Sequence, residues 1–394
     1  MSKTTTNPTV TVLKENLAPA LALVGRAAAT KSTLPILGNV LFEANSGRLR
    51  LSATNLEVSI ATSIAAKTDA AWQFTLPFKV LSDMVNAMPA DALAIQYDAK
   101  RLQVKLTCGD FATTLKGIEA GEFPDLPSVK DPLFSVPGDD LDAALERVLV
   151  AAATDQARPV LTGVFVFSEP ETNTLFLAAS DGFRVHETSL TVHGLPELKL
   201  VVPARALAEL RRGIDADLPV DVQLYHGPGK AESDPDRIGF RCGATELVAQ
   251  LLEGSFPNYR TVIPQQHAMR VVTGRGPLAH ACKAADIIAR GNAHTVSLTI
   301  VPAAKKAKPG DGRAGLRLSA INAETGDHES FVDANVEGSE LKLAVNATFL
   351  REACEAVDEP NVALAFSSPM SPVVIQPATS NGYRAVIMPM HLNK

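Results

Sequence analysis

The sequence predicts an α+β protein of three repeated domains, each with antiparallel sheets and two helices. Three observations predict this class. The pattern L-x-L-x-A-x-N/D occurs at 49–55, 175–181 and 316–322, at intervals of about a third of the chain. A strand running into a helix follows each copy, and a Pro-rich closure ends each of the first two thirds. Runs of strand with two helices per third, without βαβ alternation, indicate antiparallel sheets.

In the first third, Leu17, Leu21 and Val24 share a helical face. An apolar strand follows at 36–44. Alternating Leu49, Leu51 and Ala53 mark a half-buried strand, with Asn55 at the turn after it. Phe74-Thr-Leu-Pro-Phe-Lys-Val-Leu81 runs from strand into helix, with Pro77 at the helix start and Leu81, Met84, Val85 and Met88 as its apolar face. The second third repeats this order. Leu141, Leu145 and Val148 form a helical face after a cap-like Asp139–Asp140 pair, and a strand follows at 160–168. Its strand–helix unit is Leu200-Val-Val-Pro-Ala-Arg-Ala-Leu207, with face Leu207, Leu210 and Ile214. In the last third the first face is Leu278, Ala281, Ala285 and Ile288, and the strand is 295–302. The unit Leu343-Ala-Val-Asn-Ala-Thr-Phe-Leu350 places Asn346 to cap a helix whose face is Leu350, Cys354 and Val357. The closures Phe123-Pro-Asp-Leu-Pro127 and Phe256-Pro-Asn-Tyr-Arg-Thr-Val-Ile-Pro264 set domains at 1–130, 131–265 and 266–394. Hairpin insertions are expected at 227–236 and 303–315, the second carrying Lys305, Lys306, Lys308 and Arg313.

The chain has 394 residues, 46% hydrophobic and 20% charged, enough for real cores. Aromatics are 5%, which argues against a base-stacking platform for single strands. A net charge of −6 excludes a whole-surface electrostatic grip on nucleic acid but not a local basic face. Cys108, Cys242, Cys282 and Cys354 have no metal-ligand spacing and suit a reducing cytoplasm. No signal peptide or membrane span is expected.

Motifs for chemistry are missing. Gly227-Pro-Gly-Lys230 is too short for a phosphate loop, and Gly274-Arg-Gly276 reads as a domain linker. G-x-S-x-G and H-E-x-x-H do not occur. His186 near Asp181 reads as a packing residue, and the acids at 139–142 as a helix N-terminus. No catalytic residue, metal ligand or cofactor is expected.

Specific segments nevertheless match a known family. Thr33-Leu-Pro-Ile-Leu-Gly-Asn39 with Ala53-Thr-Asn-Leu-Glu57, Ala179-Ser-Asp-Gly-Phe-Arg-Val185, Phe256-Pro-Asn-Tyr-Arg260 and Val386-Ile-Met-Pro-Met-His-Leu392 follow one another in the family's order. In them the chain resembles the bacterial DNA polymerase III beta subunit, the DNA sliding clamp. The resemblance implies three DNA-clamp domains per chain and a head-to-tail homodimer whose six domains form a ring around duplex DNA. It implies a non-catalytic processivity factor, with no sequence preference on DNA. Its partners would be the polymerase III catalytic subunit, the clamp loader and other proteins carrying a short Gln- and Leu-rich peptide. A clamp-fold scaffold, or a nucleic-acid-modifying enzyme that does not encircle DNA, is the alternative.

By the same resemblance the peptide groove is formed by Arg158, Leu161, Ser180, Gly182, Phe183, Arg184, Val185, Pro257, Val262, Asn346, Phe349, Met370 and Pro372. Val386, Ile387, Met388, Pro389, Met390 and His391 complete it. Methionines make such a surface adaptable, and Arg158, Arg184 and Asn346 would orient the peptide. Phe183 stands where the family has His, Thr261 where it has Arg, and His391 where it has Arg. The dimer contact would set Phe111, Thr113 and Leu115 against Ile287 and Ile288. Basic residues spread over the helices of all three thirds fit a ring lining, with Arg26, Lys31, Arg205, Arg211, Lys283 and Arg290 expected to face DNA.

Overall fold

The computed structural model describes residues 7–227, 234–303, 313–380 and 382–391. The first third carries β1 (Thr9–Leu13), α1 (Lys14–Val24), β2 (Asn39–Asn45), β3 (Arg48–Thr54), β4 (Val58–Ala65), β5 (Lys67–Thr68), β6 (Trp72–Pro77), α2 (Phe78–Ala87), β7 (Ala92–Asp98), β8 (Gln103–Cys108) and β9 (Phe111–Lys116). The second carries β10 (Phe134–Val136), α3 (Gly138–Leu149), β11 (Gly163–Glu169), β12 (Thr174–Ser180), β13 (Arg184–Thr191), β14 (Lys199–Pro203), α4 (Ala204–Arg211), β15 (Val220–Tyr225), β16 (Arg237–Cys242) and β17 (Thr245–Gln250). The third carries β18 (Met269–Gly274), α5 (Arg275–Ala289), β19 (Thr295–Val301), β20 (Gly315–Asn322), β21 (Gly326–Glu337), β22 (Leu341–Asn346), α6 (Ala347–Glu355), β23 (Asn361–Phe366), β24 (Val373–Pro377) and β25 (Tyr383–Ile387).

The chain packs as two compact units, 1–142 with 205–251, and 143–204 with 252–394. In the first, a five-stranded sheet runs β5-β1-β7-β8-β9, and an eight-stranded sheet runs β10-β15-β16-β17-β4-β3-β2-β6. The second holds a twelve-stranded sheet, β14-β11-β12-β13-β25-β24-β23-β18-β21-β20-β19-β22. The ladders are antiparallel throughout, including the two that join strands of different thirds, β17 with β4 and β13 with β25.

The repeated pattern has a physical cause. Its Leu, Leu and Ala are buried in every copy: Leu49, Leu51 and Ala53; Leu175, Leu177 and Ala179; Leu316, Leu318 and Ala320. The closing Asn or Asp builds the same Asx turn each time. Asn55 Oδ1 accepts the N–H groups of Glu57 at 3.0 Å and Val58 at 2.8 Å. Asp181 Oδ1 accepts those of Phe183 at 2.9 Å and Arg184 at 3.0 Å. Asn322 Oδ1 accepts those of Glu324 at 2.8 Å and Thr325 at 3.2 Å. A side-chain oxygen thus satisfies two backbone donors that leave the ladder at the turn.

The structure moves several expected boundaries. The segments Pro35–Gly38 and Pro159–Thr162 are short 3-10 turns rather than strand, because each begins on a proline that fixes φ and offers no ladder donor. Asp139 and Asp140 lie inside the first turn of α3 instead of capping it. Met84 is exposed, and Ile214 lies beyond the end of α4. Gly274-Arg-Gly276 is no linker, since Gly274 ends β18 and N-caps α5. The lysines of the basic insertion and the centre of the 227–236 hairpin lie outside the described residues. Arg313, at the insertion's edge, is engaged by Asp333 through Nε at 2.8 Å.

Candidate functional site

Every residue expected in the groove belongs to the second unit, and the β13–β25 ladder is what brings them together. Arg184 pairs with Ile387 and Val185 with Val386. One step beyond the ladder the Met388 N–H donates to the Phe183 carbonyl at 2.9 Å. Pro389 then interrupts pairing, and Met390 makes a single bridge to Ala344 of β22. On the other side of β25, β24 begins at Val373 opposite Ile387, so the turn holding Met370 and Pro372 adjoins the same strand end.

The expected residues divide into two layers. Leu161, Ser180, Val185, Val386 and Ile387 are buried. Val185 and Val386 share a cluster with Tyr259 and Ile263, and Ile387 belongs to the core under α5 and α6. These five support the surface and do not line it. The exposed layer is apolar: Phe183 is 68% exposed, Met370 65%, Val262 44% and Met388 39%. Phe349, Pro372, Pro389 and Met390 are half-buried, while Pro257 and His391 are exposed. Val150, 40% exposed, carries the carbonyl that Arg184 holds.

Two expected donors are committed elsewhere. Arg184 is only 8% exposed. Its Nε donates to Asp181 Oδ2 at 3.0 Å, and its Nη atoms donate to Glu352 and to the Val150 carbonyl. Its guanidinium lies 4.2 Å over the Phe349 ring. It is therefore a strut fixing the Asx turn against α6. The Asn346 side chain caps α6, accepting the Phe349 N–H at 3.0 Å. Arg158 is exposed, with no partner among the described residues, and remains as the donor free to orient a ligand. Gly182 matters for its φ of +94° more than for space, since an added Cβ there would meet only Arg158 Nη1, at 3.7 Å. Glu352 and Val150 were not expected at the site. Only a cap or face pattern marks their segments, and nothing in that pattern points to Arg184.

Beside these residues lies a polar core. His186 is fully buried, with Nδ1 at 2.9 Å from the Arg147 carbonyl and 3.1 Å from the Tyr383 hydroxyl. Nε2 has no partner. Burial drops its pKa to about 4. Tyr259 donates to Glu187, and burial, reinforced by that carboxylate, raises its pKa. Arg260 stacks on Phe167 and Phe176 at 4.8 and 4.7 Å. The Tyr-Arg of the second closure is thus a packing device.

Of the cations expected to face DNA, three have acidic partners: Arg26 with Glu209 at 3.3 Å, Arg211 with Asp142 at 2.8 Å, and Arg290 with Asp286 at 3.8 Å. Lys31, Arg205 and Lys283 are exposed, with no ion pair among the described residues. Phe111 is 56% exposed on β9, the edge of its sheet, where Thr113 and Leu115 are half-buried. Ile287 is 57% exposed. Ile288 is half-buried and packs partly against the domain core, since neighbouring helical positions point about 100° apart. Among the described residues no group of His, Cys, Asp and Glu could hold a metal, and no helix is long and apolar enough to cross a membrane.

The family models of the DNA polymerase III beta subunit match in order along the chain. The N-terminal domain matches 9–127, the central domain 135–258 and the C-terminal domain 260–391. A beta sliding clamp of Synechococcus elongatus is 29% identical over 97% of this chain and 99% of its own. That of Streptomyces coelicolor is 29% identical over 98% and 99%. The Thermotoga maritima beta subunit matches the structure with a TM-score of 0.83 at 25% identity, covering 98% of this chain and 100% of its own. The Bacillus subtilis clamp has the same coverage, with a TM-score of 0.86 at 20% identity. The nucleic-acid-modifying alternative falls away, and the chain belongs to the bacterial DNA polymerase III beta-subunit family of sliding clamps, which are non-catalytic processivity factors.

Proposed function

We propose that two copies of this chain associate head to tail and close into a six-domain ring around duplex DNA. The observation that carries this reading is a repeated use of strand edges. The third strand of one repeat's first sheet pairs with the last strand of a neighbouring repeat, as β4 with β17 and β13 with β25. The equivalents left without a partner among the described residues are β9 in the first repeat and the outer edge of β21 over 326–333 in the third. Their pairing between copies covers two edges that would otherwise invite aggregation. Exposed Phe111 and Ile287 supply apolar contact near that junction. We place the domains at 1–130, 131–265 and 266–394; family matches at 9–127, 135–258 and 260–391 fit the first boundary and set the second a few residues earlier.

The groove then docks a short Gln- and Leu-rich peptide of the polymerase III catalytic subunit, the clamp loader or another partner, in the cytoplasm. The exposed Phe183, Val262, Met370 and Met388 support an apolar ligand, and Arg158 supplies the polar anchor. A ring holds DNA by topology, so few phosphate contacts suffice, and Lys31, Arg205 and Lys283 are the cations free to make them.

Dissociation from loaded duplex tests the ring. Clamp loaded on closed circles should persist, and linearising the circle should release it by sliding from the ends. Equal dissociation from circular and linear duplex would disprove encirclement.

A further inference from the structure

The Met390 end of the groove adjoins a strained turn. Ala293 and His294, between α5 and β19, both hold left-handed backbone, with φ of +47° and +59°. That conformation is costly for residues with a Cβ, and two in succession persist only where their surroundings hold them. Hydrogen bonds do so here. The His294 N–H donates to the Ala289 carbonyl at 3.0 Å, and the His294 carbonyl accepts the Ala347 N–H at 2.9 Å. The Ala293 carbonyl accepts from Asn346 Nδ2 at 3.4 Å. The turn is thus tied to the start of α6, which carries the groove residues Asn346 and Phe349. Met390 rests on the next residue along, with its Sδ 3.4 Å from Thr295 Oγ1.

The turn fixes one side chain. The His294 ring is partly exposed, with Nδ1 at 2.6 Å from Asp286 Oδ1 and 3.4 Å from Thr348 Oγ1. The Thr348 hydroxyl donates to the same Asp286 oxygen at 3.2 Å. A carboxylate only accepts, so the ring proton belongs on Nδ1. Arg290 faces the other Asp286 oxygen at 3.8 Å, so the carboxylate does not depend on an imidazolium for its counter-charge. Nε2 makes no hydrogen bond to the described residues, and in the neutral ring it is a bare acceptor. An acceptor is what the rest of the groove is short of. The exposed Phe183, Val262, Met370 and Met388 side chains supply no strong hydrogen bond, and Arg158 only donates. Asn346 Oδ1 is taken by the Phe349 N–H. An extended peptide brings N–H groups that lose water on docking and need a partner.

We propose that His294 extends the peptide groove at its Met390 end, where its Nε2 accepts a hydrogen bond from an N–H group of the docked peptide. Asp286 and Thr348 hold the ring so that this acceptor faces outward. The inference rests on reading the groove as a peptide site.

Two substitutions separate the binding role of the ring from its structural one. Asparagine sets its amide where Nδ1 stands and tolerates left-handed backbone, so His294→Asn keeps the Asp286 contact and removes the outward acceptor. Glutamine reaches the place of Nε2, so His294→Gln restores an acceptor there and gives up the Asp286 contact. Fluorescence anisotropy with a labelled Gln-Leu-x-Leu-Phe peptide measures both in the full-length protein, at about pH 8, where a histidine ring is ordinarily neutral. His294→Asn should weaken binding about threefold to tenfold, the worth of one neutral hydrogen bond, at an unchanged melting temperature. His294→Gln should bind within about twofold of wild type, since it keeps that bond. The reverse order would make His294 a structural residue of the turn and overturn the proposal. So would equal affinity in all three proteins, or equal weakening of both variants. Phe183→Asp, at an exposed position, isolates the groove reading. Wild-type binding that Phe183→Asp removes but His294→Asn leaves intact overturns the role of His294 alone. A probe that does not bind wild type, or binds Phe183→Asp equally well, overturns the groove reading and this inference with it.

Discussion

At the scale of the residue, His186 shows how burial sets a stability profile. Its ring touches the Arg147 carbonyl and the Tyr383 hydroxyl; burial disfavours the protonated form and outweighs the carbonyl, which favours it, while the Arg184 guanidinium adds to the lowering. Its pKa falls from 6.5 to about 4, so the unfolded chain binds more protons between those values. Its neutral form therefore stabilises the fold fully above pH 6.5, and this contribution is lost as pH falls towards 4, by about 3 kcal/mol in all. Urea denaturation of His186→Gln should show a flatter decline over that window than wild type, and an unchanged decline would contradict the assignment. The two groove arginines separate in the same way. Arg184→Ala should cost about 2–3 kcal/mol, because it strands Glu352 and Asp181 at the turn. Arg158→Ala should leave the melting temperature within a degree or so and weaken Gln-Leu peptide binding severalfold. Matching losses of stability in both variants would mean that Arg158 is structural as well.

At the scale of the element, the Asx turn is the unit that the sequence displayed most openly. Its period-two Leu and Ala and its closing Asn or Asp are local requirements, so they survive in all three copies. The 3-10 turns before β2 and β11 were less legible, because Ile36 and Leu37, like Leu161, are apolar and buried whether or not they lie in a strand. The two-layer character of the groove was hidden for a related reason. Val386 and Ile387 stand next to Met388 in sequence, yet the ladder ends between them and buries only the former pair. Arg184's commitment to Glu352 depends on residues far apart in the chain, and no spacing announces it. The turn also yields a comparison inside one molecule. Leu56 occupies φ +77°, where its counterpart Gly182 has φ +94°. A left-handed conformation costs a non-glycine residue about 1–2 kcal/mol, partly offset by the added chain entropy of glycine. Leu56→Gly should therefore be neutral or stabilise by up to about 1 kcal/mol, whereas Gly182→Leu should destabilise by about 1 kcal/mol or more. Thermal unfolding of the two variants measures this, and a destabilised Leu56→Gly would show that the exposed leucine packs on something.

At the scale of the whole molecule, the repeat determines how copies should meet, down to the register. Ala53 lies opposite Ile60, Ala179 opposite His186 and Ala320 opposite His328, so Ile60, His186 and His328 are equivalent. Across the two ladders that join thirds, Ile60 faces Leu247 and His186 faces Ala385. Following the strands back, Leu247 lies opposite Phe240, Ala385 opposite Ile375, and Thr113 opposite Leu106, which occupy the same place in their sheets. Thr113 of one copy should therefore stand opposite His328 of the second, with Phe111 opposite Ser330. An antiparallel ladder two residues out of register would keep the same faces inward, so the hydrophobic pattern alone does not fix this choice. The discriminating measurement is cross-linking. Thr113→Cys combined with His328→Cys should form a chain-to-chain disulfide under mild oxidation, since directly opposed Cα atoms lie within bonding reach. Thr113→Cys combined with Ser330→Cys, offset by two residues, should cross-link far more slowly. The four native thiols are buried and do not compete. Faster cross-linking of the offset pair would shift the ladder by two residues. Cross-linking of neither pair, in a protein that still sediments as a dimer, would place the subunit contact away from these strands.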